Sequence, residues 1–229
     1  VSSSEVILNV NSGGDDNVSG GDLEDLTFNG DGTKVYAIAF NGTMNVHSLS
    51  TPYDLSNATQ DADDGINWST DYDGEGGSDS DHRIHGMRFN NDGTKMFVIG
   101  QEANNSSSSG GANDDIHEYT LSTPFDISTA SYVDSLAMAD NVETSIKFNN
   151  DGSKMFVIGT KNDKVQEYTL TANFDLSSAT LESVFVTSNE EVAPFGIDFN
   201  NDGTMMYITG HNSDSIHQYE LAVGFDLSE

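Results

Sequence analysis

Carboxylates crowd one glycine-rich stretch of the chain, residues 71–81. Hard oxygen ligands, about six to eight of them on a flexible turn, are what calcium prefers in proteins. Position 82 is His, so the bidentate Glu that completes an EF-hand loop is missing. The stretch therefore predicts a calcium site, and a solvated acidic loop is the alternative. The candidate ligands are Asp71, Asp73, Glu75, Asp79 and Asp81.

Two of the six histidines, His82 and His85, follow this stretch closely. Imidazole nitrogen and carboxylate oxygen are the ligands of many transition-metal sites, so His82 and His85 could join Asp79 or Asp81 in one. His117 and His217 stand at equivalent positions of two repeats, where packing or surface roles are favoured.

The sequence marks no catalytic group. It has no cysteine, no G-x-S-x-G elbow and no phosphate-binding loop. Carboxylate pairs suited to glycoside hydrolysis exist, but with 38 acidic residues no spacing distinguishes one pair from another. We therefore expect a non-catalytic protein.

Charge excludes further classes of function. The 229 residues include 8 Lys and Arg against 38 Asp and Glu, a net charge of −30. Nucleic-acid binding needs a basic face, and anionic membranes attract basic segments, so neither partner is expected. No apolar run approaches the roughly 20 residues of a membrane span. The excess of Asp favours a saline extracellular setting, at a cell or virion surface, and the start at Val1 favours a processed secreted or trimmed chain.

Four internal repeats organise these residues. A hairpin motif recurs about every 50 to 60 residues, with its first aromatic at Phe28, Phe89, Phe148 and Phe199. Each copy is followed by a shared block that ends in an aromatic-Asp-[LI]-Ser turn, as in Phe174-Asp-Leu-Ser. Short strands repeated at such a period indicate a β-propeller. The third unit predicts strands over 142–148, 154–159, 164–170 and 180–186.

The repeat resembles the YVTN-type β-propeller family. The resemblance lies in F-N-N-D-G-T-K-M-F-V-I-G from Phe89 and in the following I-H-E-Y-T-L from Ile116, and it extends from about Leu23 to Glu229. It implies the fold. It also permits a calcium-dependent lactonase-like enzyme as a third function, beside the glycoside-processing enzyme that the carboxylate pairs would allow. Many propellers of this kind have six or seven blades, so four units predict either a four-bladed ring, which we favour, or two chains that share eight blades.

The expected architecture is all-β: a four-bladed β-propeller with four antiparallel strands per blade. The last unit stops before its fourth strand, and the segment from Ser3 to Leu8 resembles the missing strand. We expect this N-terminal strand to complete the C-terminal blade and so to protect an exposed edge. The single domain 1–229 then divides into blades at about 22–70, 82–139, 142–188, and 193–229 plus 1–10.

The innermost strands of a propeller line its channel. Arg88 and Lys147, two of only eight cations, precede the shared Phe in their units. We predict that they line the channel and pair there with Asp25 and Asp198, and a bound anion is the alternative. The Asp of each hairpin turn is expected to serve the turn rather than a metal, and the repeated aromatics to pack blade against blade.

These features favour a secreted or surface-displayed binding or adhesion propeller, with a protein or glycan ligand at the acidic loop face and calcium as a candidate cofactor. The alternative is a subunit that assembles with copies of itself into a fibre, appendage or surface layer. Trp68 is a candidate ligand contact, or else an anchor for its strand. N-x-S/T sequons permit glycosylation, although chance accounts for them equally well. They begin at Asn17, Asn41, Asn57, Asn67, Asn104 and Asn105.

Overall fold

The computed structural model describes residues 5–8, 23–39, 42, 44–61, 83–101, 114–138, 143–160 and 163–228. Its sheets are the blades of a four-bladed, all-β propeller, as the repeats predict. Blade one contains β1 (Leu23–Phe28), β2 (Lys34–Ala39), β3 (Met44–Leu49) and β4 (Ala58–Gln60). Blade two contains β5 (Arg83–Phe89), β6 (Lys95–Gln101), β7 (Asp114–Leu121) and β8 (Ala130–Ala137). Blade three contains β9 (Glu143–Phe148), β10 (Lys154–Gly159), β11 (Lys164–Leu170) and β12 (Ala179–Val186), and blade four contains β13 (Pro194–Phe199), β14 (Met205–Gly210) and β15 (Ile216–Glu220).

The turn between the first two strands of each blade is fixed by its aspartate. In blade one, Asp31 Oδ1 accepts hydrogen bonds from the Thr33 amide at 3.0 Å and the Thr33 hydroxyl at 2.6 Å. These bonds hold the pKa of Asp31 below its ordinary value. The corresponding amide bond recurs at Asp92, Asp151 and Asp202, and the pKa of each is likewise lowered by hydrogen bonds from the residue two positions on. The predicted structural role of these aspartates is confirmed.

A second turn, between the third and fourth strands, packs on the first. In blade three the Phe174 ring covers Gly152, where an added Cβ would come within 2.2 Å of the ring. Gly152 also has a φ of +75°, a conformation that glycine adopts without strain. The turn continues into a short 3₁₀ helix, as it does in blades one and two, at Leu55–Asn57, Ile127–Thr129 and Leu176–Ser178. None of the helices in the described ranges is long and apolar enough to cross a membrane.

Apolar side chains hold neighbouring blades together in three successive clusters. The second strand of one blade contacts the shared Phe of the next: Tyr36 packs on Phe89, and Phe97 packs on Phe148. Ring centroids in these pairs are 4.8 and 4.6 Å apart, within the range of favourable aromatic contacts. The predicted packing of blade on blade by the repeated aromatics is confirmed.

Within the residues that the structure describes, the expected closing strand is not seen. As far as the chain is described, the fourth sheet has the order β13-β14-β15, and Glu5–Leu8, the described part of the N-terminal segment, lies outside every sheet with Ile7 69% exposed. Outer strands bury little apolar surface here, since no residue of β12 is fully buried. An outer strand supplied by a segment distant in sequence therefore gains little apolar burial to offset the entropy of ordering it.

Candidate functional site

A buried Lys–Glu ion pair of blade two forms hydrogen bonds with the second turn of blade three. Lys95 Nζ donates to Glu118 Oε1 at 2.6 Å and to the Phe174 carbonyl at 2.7 Å. The other carboxylate oxygen, Glu118 Oε2, accepts the Leu176 amide at 2.9 Å. Glu118 is only 2% exposed. We call this arrangement the inter-blade bridge: a Lys and a Glu of one blade that together hold the second turn of the next.

The same bridge joins blades three and four. Lys154 Nζ donates to Glu167 Oε1 at 2.5 Å, and Glu167 Oε2 accepts the Leu227 amide at 2.7 Å. Glu167 is fully buried, and the Ser183 hydroxyl donates to it as well. The bridge is therefore a repeated element of the fold, in which a carboxylate satisfies a backbone amide that would otherwise be buried without an acceptor.

Blade one departs from this pattern at the interface with blade two. Val46 pairs with Tyr36 in the register that pairs Glu118 with Phe97, so Val46 occupies the position of the bridging Glu. The Phe125 carbonyl accepts a hydrogen bond from the Tyr36 hydroxyl, whereas its counterpart Phe174 accepts one from a lysine. Lys34 donates to Asp61 instead. Within the described residues no acceptor is assigned to the amide of buried Ile127, the counterpart of Leu176.

A cavity of about 380 Å³ lies where the bridging carboxylate would be. Cavities that bind small molecules start at about 300 Å³. Tyr36 and Phe125 supply aromatic wall, and polar groups converge from Lys34, Gln60, Asp61 and Ser128. Three differences from the two bridged interfaces accompany this site. Val46 replaces the bridging Glu, and Tyr36 replaces the Phe of the second strand. The acid that pairs with the lysine is Asp61, which directly follows β4 instead of lying on the third strand.

Negative charge prevails around the cavity. Burial, together with the carboxylates of Asp61, Asp126 and Asp31, raises the pKa of the Tyr36 hydroxyl well above its ordinary value. Burial acts to raise the pKa of Asp61, but hydrogen bonds from Lys34 and Ser48 outweigh it and bring that pKa below its usual range. Asp61 is thus held ionised and balances the charge of Lys34.

Sequence reasoning missed this cavity, because it sought what the repeats share. The signal was available as a difference between aligned third strands, where Val46 stands against Glu118 and Glu167. The cavity also lies at the end of the blades that carries the hairpin turns.

The four predicted channel residues form ion pairs between adjacent innermost strands. Arg88 Nη1 donates to Asp25 Oδ2, and Lys147 Nζ lies 2.6 Å from Asp198 Oδ1. These are the pairings that the sequence favoured. Gly86 permits the close approach of β1 and β5, since an added Cβ would lie 3.2 Å from the Asp25 carboxylate. That the four side chains line a channel stays a prediction.

Glu191, in the loop between β12 and β13, is buried and holds this loop to the loop after β14. It accepts hydrogen bonds from the Ser213 hydroxyl and from the amides of Ala193, Asn212 and Ser213. The Ser213 hydroxyl bond and these amides lower the pKa of Glu191 to about 2, against the effect of burial. The Ser213 hydroxyl also lies 3.0 Å from His217 Nε2. We call Glu191 and the groups that donate to it the loop clamp, because they join the loop before β13 to the loop after β14.

The structure tests few of the other candidate residues. His85 is buried with its Nδ1 3.7 Å from Glu24, and His117 is buried against Tyr132. No group of three or more metal-ligating side chains occurs within the ranges that the structure describes. Asn57 is exposed in its turn, and its glycosylation stays a prediction. Several predictions fall outside the described residues: Asp71, Asp73, Glu75, Asp79, Asp81, His82, Trp68, Asn17, Asn41, Asn67, Asn104 and Asn105.

Comparison with known proteins shows the fold and no more. No family model matches the sequence, and no curated protein matches it. Among solved structures, Kuenenia stuttgartiensis hydrazine synthase is 12% identical with a TM-score of 0.55, over 86% of this chain and 71% of its own. A candidate 6-phosphogluconolactonase of Bacteroides fragilis is 13% identical with a TM-score of 0.58, over 91% of this chain and 53% of its own. The periplasmic gluconolactonase PpgL of Pseudomonas aeruginosa is 14% identical with a TM-score of 0.52, over 87% and 50%. The chain thus spans about half the length of the two lactonase structures.

Proposed function

We propose that this protein is a non-catalytic binding propeller that holds a small polar ligand in the cavity between blades one and two. The observation that carries the proposal is the contrast between interfaces. Between blades two and three, and again between blades three and four, a buried Glu accepts a backbone amide, whereas at the first interface Ile127, the counterpart of Leu176, lines the cavity. Aromatic wall combined with a few converging polar groups is the usual composition of a ligand site. The extracellular or surface setting and the YVTN-type repeat belong to the proposal and rest on sequence alone.

Val46→Glu tests the site, because it rebuilds the bridge of the other interfaces. The new carboxylate would occupy the cavity and accept the Ile127 amide. Val184, which is exposed on β12, offers a matched control: Val184→Glu makes the same chemical change far from the cavity. Binding of glucose, galactose, N-acetylglucosamine, propionamide and acetate is measured by ligand-observed NMR at 50 mM of each.

At least one of these probes is expected to bind the wild-type protein and Val184→Glu but not Val46→Glu. Thermal unfolding of Val46→Glu confirms that the variant is folded. Equal binding of every probe to Val46→Glu and to wild type contradicts the proposal, and so does failure of all five probes to bind the wild-type protein.

Assembly with copies of itself is a second candidate function, favoured by an exposed apolar residue of blade four. Ile216 is 73% exposed, whereas its counterparts Met44, Ile116 and Val165 are buried within the inter-blade clusters. In the described residues no apolar cluster joins blade four to blade one. Light scattering tests assembly: a mass above 24.6 kDa that falls in Ile216→Asp supports it, and a concentration-independent monomer contradicts it.

Two further predictions remain as proposals. Calcium binding by residues 71–81 is tested by calorimetry on the wild-type protein and on Asp71→Asn with Asp73→Asn.

Lactone hydrolysis is supported only by the likeness in fold to lactonases. It is tested by turnover of gluconolactone, and a rate equal to that of buffer contradicts it.

A further inference from the structure

The cavity between blades one and two resembles, in its donors and acceptors, a site for hydroxyl groups. We infer that its ligand is a neutral saccharide rather than an acid, an inference that rests on the proposed function of the cavity. Three properties of the lining carry it: the mixture of donors and acceptors, the charge, and the aromatic wall.

The lining presents both donors and acceptors at short range. The Ile127 amide is the counterpart of the amide that the bridging carboxylate accepts in the next interface, so it calls for an oxygen acceptor. Asp61 and Gln60 supply acceptor oxygens on the facing blade. A hydroxyl group accepts and donates at once, so adjacent hydroxyls of one sugar satisfy both sides. A carboxylate, which only accepts, leaves Asp61 without a donor from the ligand.

The balance of charges at this cavity differs from that at the inter-blade bridges. In the second interface one carboxylate, Glu118, balances one ammonium, Lys95. In the first interface Asp61 already balances Lys34, and Asp126 also borders the cavity. An acidic ligand would add a further negative charge beside Asp61 and Asp126, within a protein of net charge −30. A neutral ligand avoids this repulsion.

Aromatic wall and volume agree with this chemistry. Sugars present apolar C–H faces as well as hydroxyl groups, and Tyr36 and Phe125 supply apolar surface next to the polar groups. About 380 Å³ lies at the lower end of ligand cavities, which suits one or two sugar rings. For a ligand of this size we expect a dissociation constant on the order of 1 mM.

Matched pairs of sugars test the inference, because glucuronate and galacturonate differ from glucose and galactose only at the oxidised C6. Binding to the whole chain is measured by NMR titration in 20 mM NaCl. Each uronate is expected to bind at least tenfold more weakly than its neutral partner. Asp61→Asn removes the negative charge that would repel a uronate, and it is expected to reduce the ratio of the uronate to the neutral-sugar dissociation constant below about threefold. In the wild-type protein, 500 mM NaCl screens that charge and is expected to reduce the same ratio. Val46→Glu is expected to abolish binding of all four.

The alternative outcomes distinguish the two proposals. If uronates bind more tightly than neutral sugars, or if only propionamide or acetate binds, while Val46→Glu still abolishes binding, then the saccharide inference is overturned and the cavity remains the site. If the sugars bind Val46→Glu as well as they bind the wild-type protein, the cavity is not the site and both proposals fail. If no sugar binds the wild-type protein at 50 mM, the saccharide inference is overturned.

Discussion

Glu118→Val makes the second blade interface resemble the first, and its cost measures what the inter-blade bridge contributes. Two interactions are lost together: the ion pair with Lys95 and the bond from the Leu176 amide. Lys95 keeps its bond to the Phe174 carbonyl, so its charge is not left without a partner. Valine also returns some apolar contact with the surrounding cluster.

The magnitude follows from these contacts. Removal of one partner of a buried pair costs about 3 to 5 kcal/mol. That range is an upper bound here, because the Lys95 side chain is 24% exposed and retains a carbonyl acceptor. A buried amide without an acceptor costs about 1 to 3 kcal/mol. After an allowance for the apolar contact that valine restores, we expect the free energy of unfolding to fall by about 3 kcal/mol. For a chain of this length the melting temperature then falls by roughly 6 to 12 °C.

Thermal and urea unfolding in 150 mM NaCl provide the assay. Glu118→Gln retains an oxygen acceptor for the Leu176 amide and should lose only about 1 kcal/mol. Glu182→Val, the same substitution at an exposed position of β12, should change stability by less than about 0.5 kcal/mol. If Glu118→Val and Glu182→Val lower the free energy of unfolding by the same amount, the bridge does not stabilise the fold. Its absence from the first interface would then be no argument for a binding site there.

Three further predictions follow from the turns, the loop clamp and the innermost strands. Gly152→Ala should cost about 2 to 4 kcal/mol in urea unfolding because the φ is positive and the added Cβ meets an aromatic ring, whereas Gly30→Ala, which has room for a Cβ, should be nearly neutral; equal effects would contradict this. Glu191 has a folded pKa of about 2, below the ordinary 4.5, so its stabilisation is present above about pH 4.5 and is lost as the pH falls towards 2. The difference in melting temperature between the wild-type protein and Glu191→Gln should therefore shrink over that interval, and a constant difference would refute the assignment. Arg88→Ala should cost about 1 to 2 kcal/mol and Lys147→Ala less than about 0.5, because the acid that pairs with Lys147 is mostly exposed; the reverse order would contradict the burial argument.

The repeats predicted most of the fold because local chemistry repeats with them. Strands expected over 154–159 and 164–170 have these bounds in the structure, since the Asp-Gly turn and the alternating apolar residues determine them locally. The pairing of Arg88 with Asp25 followed from the scarcity of cations and from the adjacency of innermost strands. The strand bounds thus follow from a short local sequence, and the ion pair follows from the equivalent positions of two residues in adjacent repeats.

The parts that the sequence could not predict depend on contacts between distant segments. Glu191 is held by hydrogen-bond donors from the loop after β14, and no local sequence pattern indicates that these two loops meet. The fourth strand of blade four was expected from resemblance to the other outer strands, although those strands bury little. The cavity arises where one repeat differs from the others, at Val46, so a consensus of the repeats conceals it.

The backbone amide of Ile127 offers the most direct test of the binding site, since Leu176 is its counterpart in an interface where Glu118 accepts the bond. Assigned ¹H–¹⁵N spectra are recorded while glucose or galactose is added to the whole chain. The account predicts that the Ile127 amide shifts in a saturable manner while the Leu176 amide stays unchanged, and that the shift disappears in Val46→Glu. Shifts at Leu176, or in the loops around Glu191 and Ser213, with Ile127 unmoved would contradict it.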